Sequence, residues 1–393
     1  MSAERARSTV LIAVTHLLGS GHLVRAAQLA RALAAGGFAV TLASGGMPLR
    51  DMVDEPFAFV QLPPVKVEGL DFRNLLDEAG APIEAGRLAR RRAMLAALAT
   101  TLKPDVVVTE HFPFGRRQLA EEFLTLITAA KATNPSALVL ASVRDVLVTP
   151  RPDRIAEAEQ RLASLFDGVL VHGDPSFLPL EASWPVSPVL AKRLHYTGYM
   201  APPPVAVPNG PDGEGAGEVL VSGGGSAAAL PLFRLCLGAG RLGDASRRWR
   251  ILVGKAVAES DVAALRQSAS PNVTVERVRA DFPVLLARAA LSISQAGYNT
   301  VLDLVAAGRP AIVVPFDEGA ETEQSIRAEA MERAGLARCL RLSGPNPANP
   351  ADLAAAVSAA LAQAARPSPS IDLDGAGRIC GILSRLLAPR TSL

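Results

Sequence analysis

Three cysteines in 393 residues, Cys236, Cys339 and Cys380, are too few and too widely spaced for a disulfide framework. No Cys-x-x-Cys or Cys/His spacing accompanies them, so a zinc site is not suggested, and a reducing compartment fits the chain best. Aromatic residues are scarce at 4%, and 40 basic side chains are nearly balanced by 38 acidic ones, leaving a formal charge of +2. Nucleic acid is disfavoured as a partner, because neither a cationic footprint nor a set of stacking platforms is present. Long hydrophobic runs are missing too. The charge-free stretch Val219–Phe233 is shorter than the roughly 18 residues a spanning helix requires, and glycine and proline interrupt it. Near the start, the apolar run Val10–Val14 is too short for a secretory signal and reads as a first strand. These absences point to a cytoplasmic protein.

Apolar residues are abundant at 49%, and the chain is long enough for two cores rather than one. Short Val/Leu/Ile runs alternate with longer amphipathic stretches, the pattern of parallel strands buried on both faces and joined by helices. Strands are expected near Val10–Thr15, Phe38–Ala43, Asp105–Thr109, Ala137–Ser142 and Gly168–Val171, with helices near 22–36, 84–101, 117–131 and 152–164. The second half repeats the alternation at Glu218–Ser222, Trp249–Val253, Asn272–Glu276, Leu291–Ser294 and Ala311–Val314. Between the halves, Met200–Gly217 is rich in proline and glycine and lacks periodicity, which marks a linker. The fold class is therefore α/β, with two doubly wound sheets. The domains expected are 1–199, a linker at 200–217, 218–374, and a last helix over 375–393 that packs back on the first domain.

In open parallel sheets, ligands bind beyond the carboxyl ends of the strands, where helix N-termini converge. The strand ending at Ser222 runs into Gly223-Gly224-Gly225-Ser226, whose backbone N–H groups and hydroxyl can cradle a diphosphate; a flexible turn is the plain alternative. Asp281 can cap a helix with Pro283 in its first turn. The strand at Leu291–Ser294 leads to Gln295-Ala296-Gly297-Tyr298-Asn299-Thr300, and Thr300 and Asp303 share a helix face away from the apolar stripe Val301, Leu304 and Val305. A carboxylate there can accept two hydrogen bonds from vicinal hydroxyls such as those of ribose, or can simply favour the helix dipole. After Pro315-Phe316, the adjacent Glu323 and Gln324 offer groups for sugar hydroxyls or for solvent.

Residues 218–340 resemble the donor half of the MurG family, the N-acetylglucosaminyltransferases of peptidoglycan synthesis, and more broadly GT-B enzymes with a glycosyltransferase family 28 C-terminal domain. The resemblance rests on the glycine loop, on Ser292–Phe316 (SISQAGYNTVLDLVAAGRPAIVVPF) and on Glu323-Gln324. It implies two Rossmann-like domains facing each other across a cleft. Further, it implies that Gly224, Gly225 and Ser226 contact the diphosphate, the backbone around Arg279 the uracil, Asp303 the ribose, and Glu323 and Gln324 the sugar. Gly21, Gly223, Gly297, Asn299 and Thr300 complete the donor-binding candidates. Two departures stand out: the family's ribose ligand is usually glutamate, here Asp303, and its Gln-Gln pair is here Glu323-Gln324.

The first half adds Gly19-Ser20-Gly21-His22-Leu23-Val24-Arg25, directly after strand one and opening a helix. Leu23, Ala27, Ala30 and Leu33 form its buried face, leaving His22 at the N-terminus, where the helix field favours a neutral ring, as a general base requires. The loop resembles the glycine-rich GxGGH of the MurG family, broken by Leu18, and also the GxGHxxR of the UDP-sugar hydrolase of pseudaminic acid synthesis. Other strand ends bring Glu110, His111 and Arg116, then Arg144 and Asp145, then His172 and Asp174. Glu110 is an alternative base, and His111, Arg116, Arg144 and His172 are acceptor-binding candidates. The basic stretch 87–98 could touch an anionic membrane or present a solvated face. Asp372-Leu373-Asp374, far from these motifs, reads as structural.

The expected function is an inverting, metal-independent hexosyl transfer from a nucleotide-sugar, with UDP as the nucleotide, to an unidentified small-molecule or lipid-linked hydroxyl acceptor. No cofactor beyond the donor substrate is called for, and peripheral contact with the inner face of the membrane accompanies the lipid-linked case. A nucleotide-sugar hydrolase and a non-catalytic nucleotide-sugar-binding regulator are the rival readings.

Overall fold

The computed structural model describes residues 7–49, 52, 54–69, 73–148, 150–201, 213–224, 227–318, 321–363 and 370–388. They fall into two compact units, one of Met1–Pro175, Trp184–Met200 and Asp372–Leu393, the other of Ser176–Ser183 and Ala201–Ile371. Most of the expected linker, 202–212, lies outside the described residues.

The first unit holds strands β1 (Thr9–Val14), β2 (Ala39–Ser44), β3 (Ala58–Gln61), β4 (Val106–Glu110), β5 (Leu138–Arg144), β6 (Gly168–His172) and β7 (Leu194–Tyr196). Helices α1 (Gly21–Ala35), α2 (Ala85–Leu102), α3 (Ala120–Thr133), α4 (Pro152–Leu165) and α5 (Pro188–Ala191) connect them. The strands pair in parallel in the order β3-β2-β1-β4-β5-β6-β7. Alternate residues of β1 face opposite layers, and Val10, Ile12 and Val14 pack with Leu23, Ala26, Ala30 and Leu33 of α1.

In the second unit, β8 (Val219–Ser222), β9 (Trp249–Val253), β10 (Val273–Arg277), β11 (Leu291–Ser294), β12 (Ala311–Val313) and β13 (Arg338–Cys339) alternate with α6 (Leu230–Leu242), α7 (Glu259–Gln267), α8 (Phe282–Arg288), α9 (Tyr298–Ala307), α10 (Glu323–Arg333) and α11 (Pro350–Ala362). The parallel order is β10-β9-β8-β11-β12-β13. Its core is split by the sheet: Val219, Val221, Ile251 and Val253 face α6 and α11, while Leu220 and Leu252 face α8 and α9.

The last helix, α12 (Gly375–Leu387), belongs to the first unit, where Ile379, Ile382 and Leu383 join the core beside α1. That return begins at Asp372, three residues before the boundary read from the sequence. The backbone explains it, since Tyr199 N–H donates to the Asp372 carbonyl at 2.8 Å and Asp372 N–H to the Asp174 carboxylate at 2.9 Å. Asp374 then caps α12 through Gly377 N–H at 3.1 Å. Residues 176–183 also depart from the expected 1–199 domain: Phe177 packs against the second unit's core layer that contains Leu220, Leu285 and Leu304.

Numbered within each unit, the strand orders are 3-2-1-4-5-6-7 and 3-2-1-4-5-6, so each sheet has a topological switch point beside its first strand. In the first unit it lies between β1 and β4, and in the second between β8 and β11. No helix among the described residues is long and apolar enough to cross a membrane.

Candidate functional site

The first unit's switch point brings the loop after β1 beside the end of β4. His22, second residue of α1, places Nδ1 2.9 Å from Oε1 of Glu110, the last residue of β4. Arg25, one turn further along α1, also bonds Glu110 Oε1. On the next strand, the register sets Ser142 opposite Glu110, and its hydroxyl donates to Glu110 Oε2 at 2.6 Å. Thus Glu110, 1% exposed, is a carboxylate accepting from every side. Glu110 was expected as an alternative base; the structure places it behind His22, with its two oxygens taken up by His22, Arg25 and Ser142.

Nδ1 lies 2.9 Å from Glu110, which only accepts, and 3.1 Å from Arg25 Nη2, which only donates; the shorter, charge-assisted contact to Glu110 puts the hydrogen on Nδ1, so Nε2 carries the lone pair. That Nε2 makes no hydrogen bond among the described residues. Burial drives the His22 ring well below the ordinary histidine range, helped by the Arg116, Arg25 and Arg144 cations and by His16. The sequence assigned this neutrality to the helix field; desolvation is the larger cause.

His111 stacks obliquely near His22, ring centroids 5.2 Å apart, and burial likewise keeps it neutral. Its backbone is left-handed, as is that of Arg116. Gly115 fits only because a Cβ there would strike the His111 ring. Arg116 donates Nε–H to the Thr15 carbonyl at 2.7 Å, and burial lowers its pKa to about 10, which leaves it cationic at neutral pH. Arg144 ends β5, half-buried. His111, Arg116 and Arg144 therefore gather round His22, whereas His172 does not: it is 0% exposed and bonded to Ser142 and Thr197, so an acceptor-contacting role for it is corrected.

Arg91 also departs from its expected surface face. It is fully buried, donates Nε–H and Nη2–H to Glu122 of α3 at 2.7 Å each, and holds the carbonyls of Gly45 and Pro63. The basic stretch is thus split by an inward arginine that ties α2 to α3 and to the loops after β2 and β3.

At the second unit's switch point, β8 ends in Gly223 and Gly224; Gly225 and Ser226 lie outside the described residues. Gly224 has φ +66°, a conformation that favours glycine, and a Cβ on Gly223 would collide with Ala229 and Phe233. Across the switch point, Gly297 opens α9 with no side-chain cap and no acidic residue in its first turn, so the N–H groups of Asn299 and Thr300 have no partner among the described residues. Gln295 bridges the two loops, donating Nε2–H to the Ala228 carbonyl at 3.1 Å. It borders a small recess with Pro315, Phe316 and Asp317.

Asp303 lies one turn into α9, partly buried and without a hydrogen bond among the described residues. Desolvation raises its carboxyl to about 6. Gln324 accepts from Ala296 N–H at 3.2 Å and Phe316 N–H at 3.0 Å, so its carbonyl pins the loops after β11 and β12. Its neighbour Glu323 is 5% exposed and faces Arg327 at 3.7 Å, which in turn donates to the Ala296 carbonyl. Arg279 stands past the edge strand β10, its guanidinium shared between Glu214 and Asp281. For that reason Asp281 makes no side-chain cap to α8, contrary to the sequence expectation.

Sequence reasoning missed Ser142, Thr197, Arg327 and the inward turn of Arg91. Only Arg25 left a signal, its i+3 spacing from His22.

Residues 219–372 match the model of the glycosyltransferase family 28 C-terminal domain. The UDP-N-acetylglucosamine–N-acetylmuramyl-(pentapeptide) pyrophosphoryl-undecaprenol N-acetylglucosamine transferase of Paramagnetospirillum magneticum is 32% identical over 158 residues, covering 38% of this chain and 42% of that relative. The protein of the same name from Rhodopseudomonas palustris (strain BisB18) is 32% identical over 205 residues, 50% of this chain and 52% of the relative. The chain thus spans about half the length, or less, of the curated relatives it matches. Among solved structures, CalG4, the calicheamicin glycosyltransferase, aligns with a TM-score of 0.64 at 19% identity over 98% of this chain and 100% of its own. MurG of Acinetobacter baumannii aligns at 0.59 and 15% identity, covering 96% and 99%. At such identities the likeness shows the fold: two Rossmann-like sheets of the kind found in GT-B glycosyltransferases.

Proposed function

We propose that this chain, whose residues 219–372 constitute a glycosyltransferase family 28 C-terminal domain, is a glycosyltransferase of the MurG type that takes a hexosyl group from a UDP-sugar. The observation that carries the reading is a coincidence of place. The segment matching the family is the one whose switch point gathers the left-handed Gly224, the uncapped start of α9 and the Asp303 carboxylate, which has no hydrogen bond among the described residues.

In this reading the glycine loop and α9 N–H groups receive the diphosphate, and their fixed dipoles take up the charge that develops on departing UDP. Gly225 and Ser226 are assigned to the diphosphate, Asp303 accepts from the ribose hydroxyls, and the backbone near Arg279 reads the base. The Gln324 amide N–H group reaches the sugar. His22 Nε2 removes the acceptor hydroxyl proton as oxygen attacks the anomeric carbon, while Glu110 stabilises the resulting imidazolium. A single displacement of this kind inverts the anomeric centre, and it needs no metal. His111, Arg116 and Arg144 line the acceptor side. The relatives' names specify a pyrophosphoryl-undecaprenol-linked acceptor. We extend that class to this chain, with the peripheral position at the inner face of a membrane that such an acceptor entails.

Purified protein incubated with a panel of UDP-sugars, with lipid-linked and soluble acceptors in separate arms, should release UDP only when donor and acceptor are both present. Release that needs no acceptor would establish the hydrolase instead, and turnover abolished by a chelator would remove the metal-free mechanism. Tight UDP-sugar binding without turnover by any acceptor would leave a binding protein.

A further inference from the structure

Behind Glu110 a hydrogen-bonded row continues across the carboxyl edge of the first sheet. Ser142 Oγ lies 2.6 Å from Glu110 Oε2 and 3.0 Å from His172 Nε2; His172 Nδ1 lies 2.9 Å from Thr197 Oγ1. Ser142, His172 and Thr197 are each 0% exposed, so none can exchange these partners for water. The sheet register builds the row, pairing Glu110 with Ser142 on β4 and β5, while His172 ends β6 next door.

Its polarity follows from the charge at one end. Glu110 can only accept, so Ser142 gives its single hydrogen to Glu110 in a charge-assisted bond. The Ser142 oxygen then accepts from His172 Nε2–H, and His172 Nδ1 accepts from Thr197. Thr197 also sits 2.7 Å from the Gly198 carbonyl, which competes for the same hydrogen. A neutral bond of that kind is roughly half as strong as the charge-assisted one at the other end, so the arrangement anchored on Glu110 prevails.

From this we infer that Ser142 and His172 are positioning residues: through the buried row they fix the Glu110 carboxylate, and thereby hold His22 in the tautomer that leaves Nε2 open as base. The role rests on the proposed transfer chemistry for its purpose, yet the tautomer itself can be read without any substrate. Removing the Ser142 hydroxyl leaves Oε2 of Glu110 without its donor. Negative charge then concentrates beside His22, the carboxylate is released to rotate, and His22 binds a proton more readily.

The test uses the full chain with ring-15N histidine, which gives five imidazoles to assign by single His→Gln variants. Two-bond 1H–15N spectra should show His22 as the Nδ1–H form at neutral pH. In Ser142→Ala and His172→Phe a mixed tautomer and a titration midpoint raised by half a pH unit or more are expected, with Ser142→Thr restoring the parent pattern. Where transfer activity is measured, Ser142→Ala should lower kcat about tenfold and leave donor KM within twofold. Should His172→Phe fail to fold, Thr197→Val tests the same row from its far end. A His22 tautomer and midpoint unchanged in folded Ser142→Ala would overturn the inference whatever reaction the protein performs. Absence of sugar transfer with the expected tautomer shifts would instead defeat only the proposed function.

Discussion

His22 and Glu110 lie 88 positions apart in sequence and 2.9 Å apart in space, joined because the strand order of the first sheet reverses between β1 and β4, which sets these two parallel strands side by side. The pair puts a neutral imidazole against a buried carboxylate, its second nitrogen unbonded among the described residues, the arrangement a general base requires. Replacement of His22 by alanine should lower kcat by about 10²–10⁴-fold, the usual range for a positioned base. Glu110→Gln should lower it too, because an amide can present the wrong atom to Nδ1. UDP affinity, measured by calorimetry, should stay within twofold in both. A His22→Ala protein with parental turnover would remove this residue from the chemistry.

The two titrating groups lead to separate pH limbs. Asp303, raised to about 6 by burial, must be ionised to accept two ribose hydrogen bonds, so donor binding weakens as pH falls through about 6. His22, pushed well below the ordinary range near 6.5, stays unprotonated there and still acts as base. Hence the acid limb of kcat/KM for donor should appear near pH 6, and that of kcat at distinctly lower pH. In Asp303→Asn the first limb should vanish while the second persists. Coincident limbs would contradict the assignment.

Gly224→Ala forces a methyl-bearing residue into φ +66°, a strain of about 1–2 kcal/mol. Relief by rotation of the loop would turn its N–H groups off the diphosphate. UDP should bind about tenfold more weakly, and the thermal midpoint should fall by a few degrees. Calorimetry and a melting curve on the same sample decide it; a variant that melts lower but binds UDP normally would show that the loop does not hold phosphate.

Arg91→Met strands the Glu122 carboxylate in the interior of the first unit. Breaking a buried ion pair from one side costs about 3–5 kcal/mol, so urea unfolding of this variant should begin well before that of the parent. The double variant Arg91→Met, Glu122→Leu should recover much of the loss, since no lone charge then remains buried. Equal destabilisation in single and double variants would argue against the pair as the cause.

Much of the fold was legible in the residues. β9 and β11 occupy the ranges expected, and most other strand and helix limits shift by only a residue or two, because central strands buried on both faces are continuous apolar runs. The strands that escaped notice, β3, β7 and β13, are short edge strands with half-buried residues and carry no such run. Similarly, the glycines at 223–224 and the Gly21-His22 step announced themselves by local chemistry.

The sequence alone determined the α/β class, the two halves, and the loops where ligand chemistry concentrates, since these follow from hydrophobic period and from backbone freedom at glycine. Tertiary structure decided which polar groups meet. Strand register set Ser142 against Glu110, and the switch point set Glu110 against His22. Burial turned His172 toward Ser142 and Thr197, Arg91 toward Glu122, and Glu323 toward Arg327. A side chain's partner depends on which strands lie side by side and on how far water is excluded, and neither quantity is written in the spacing of residues along one chain.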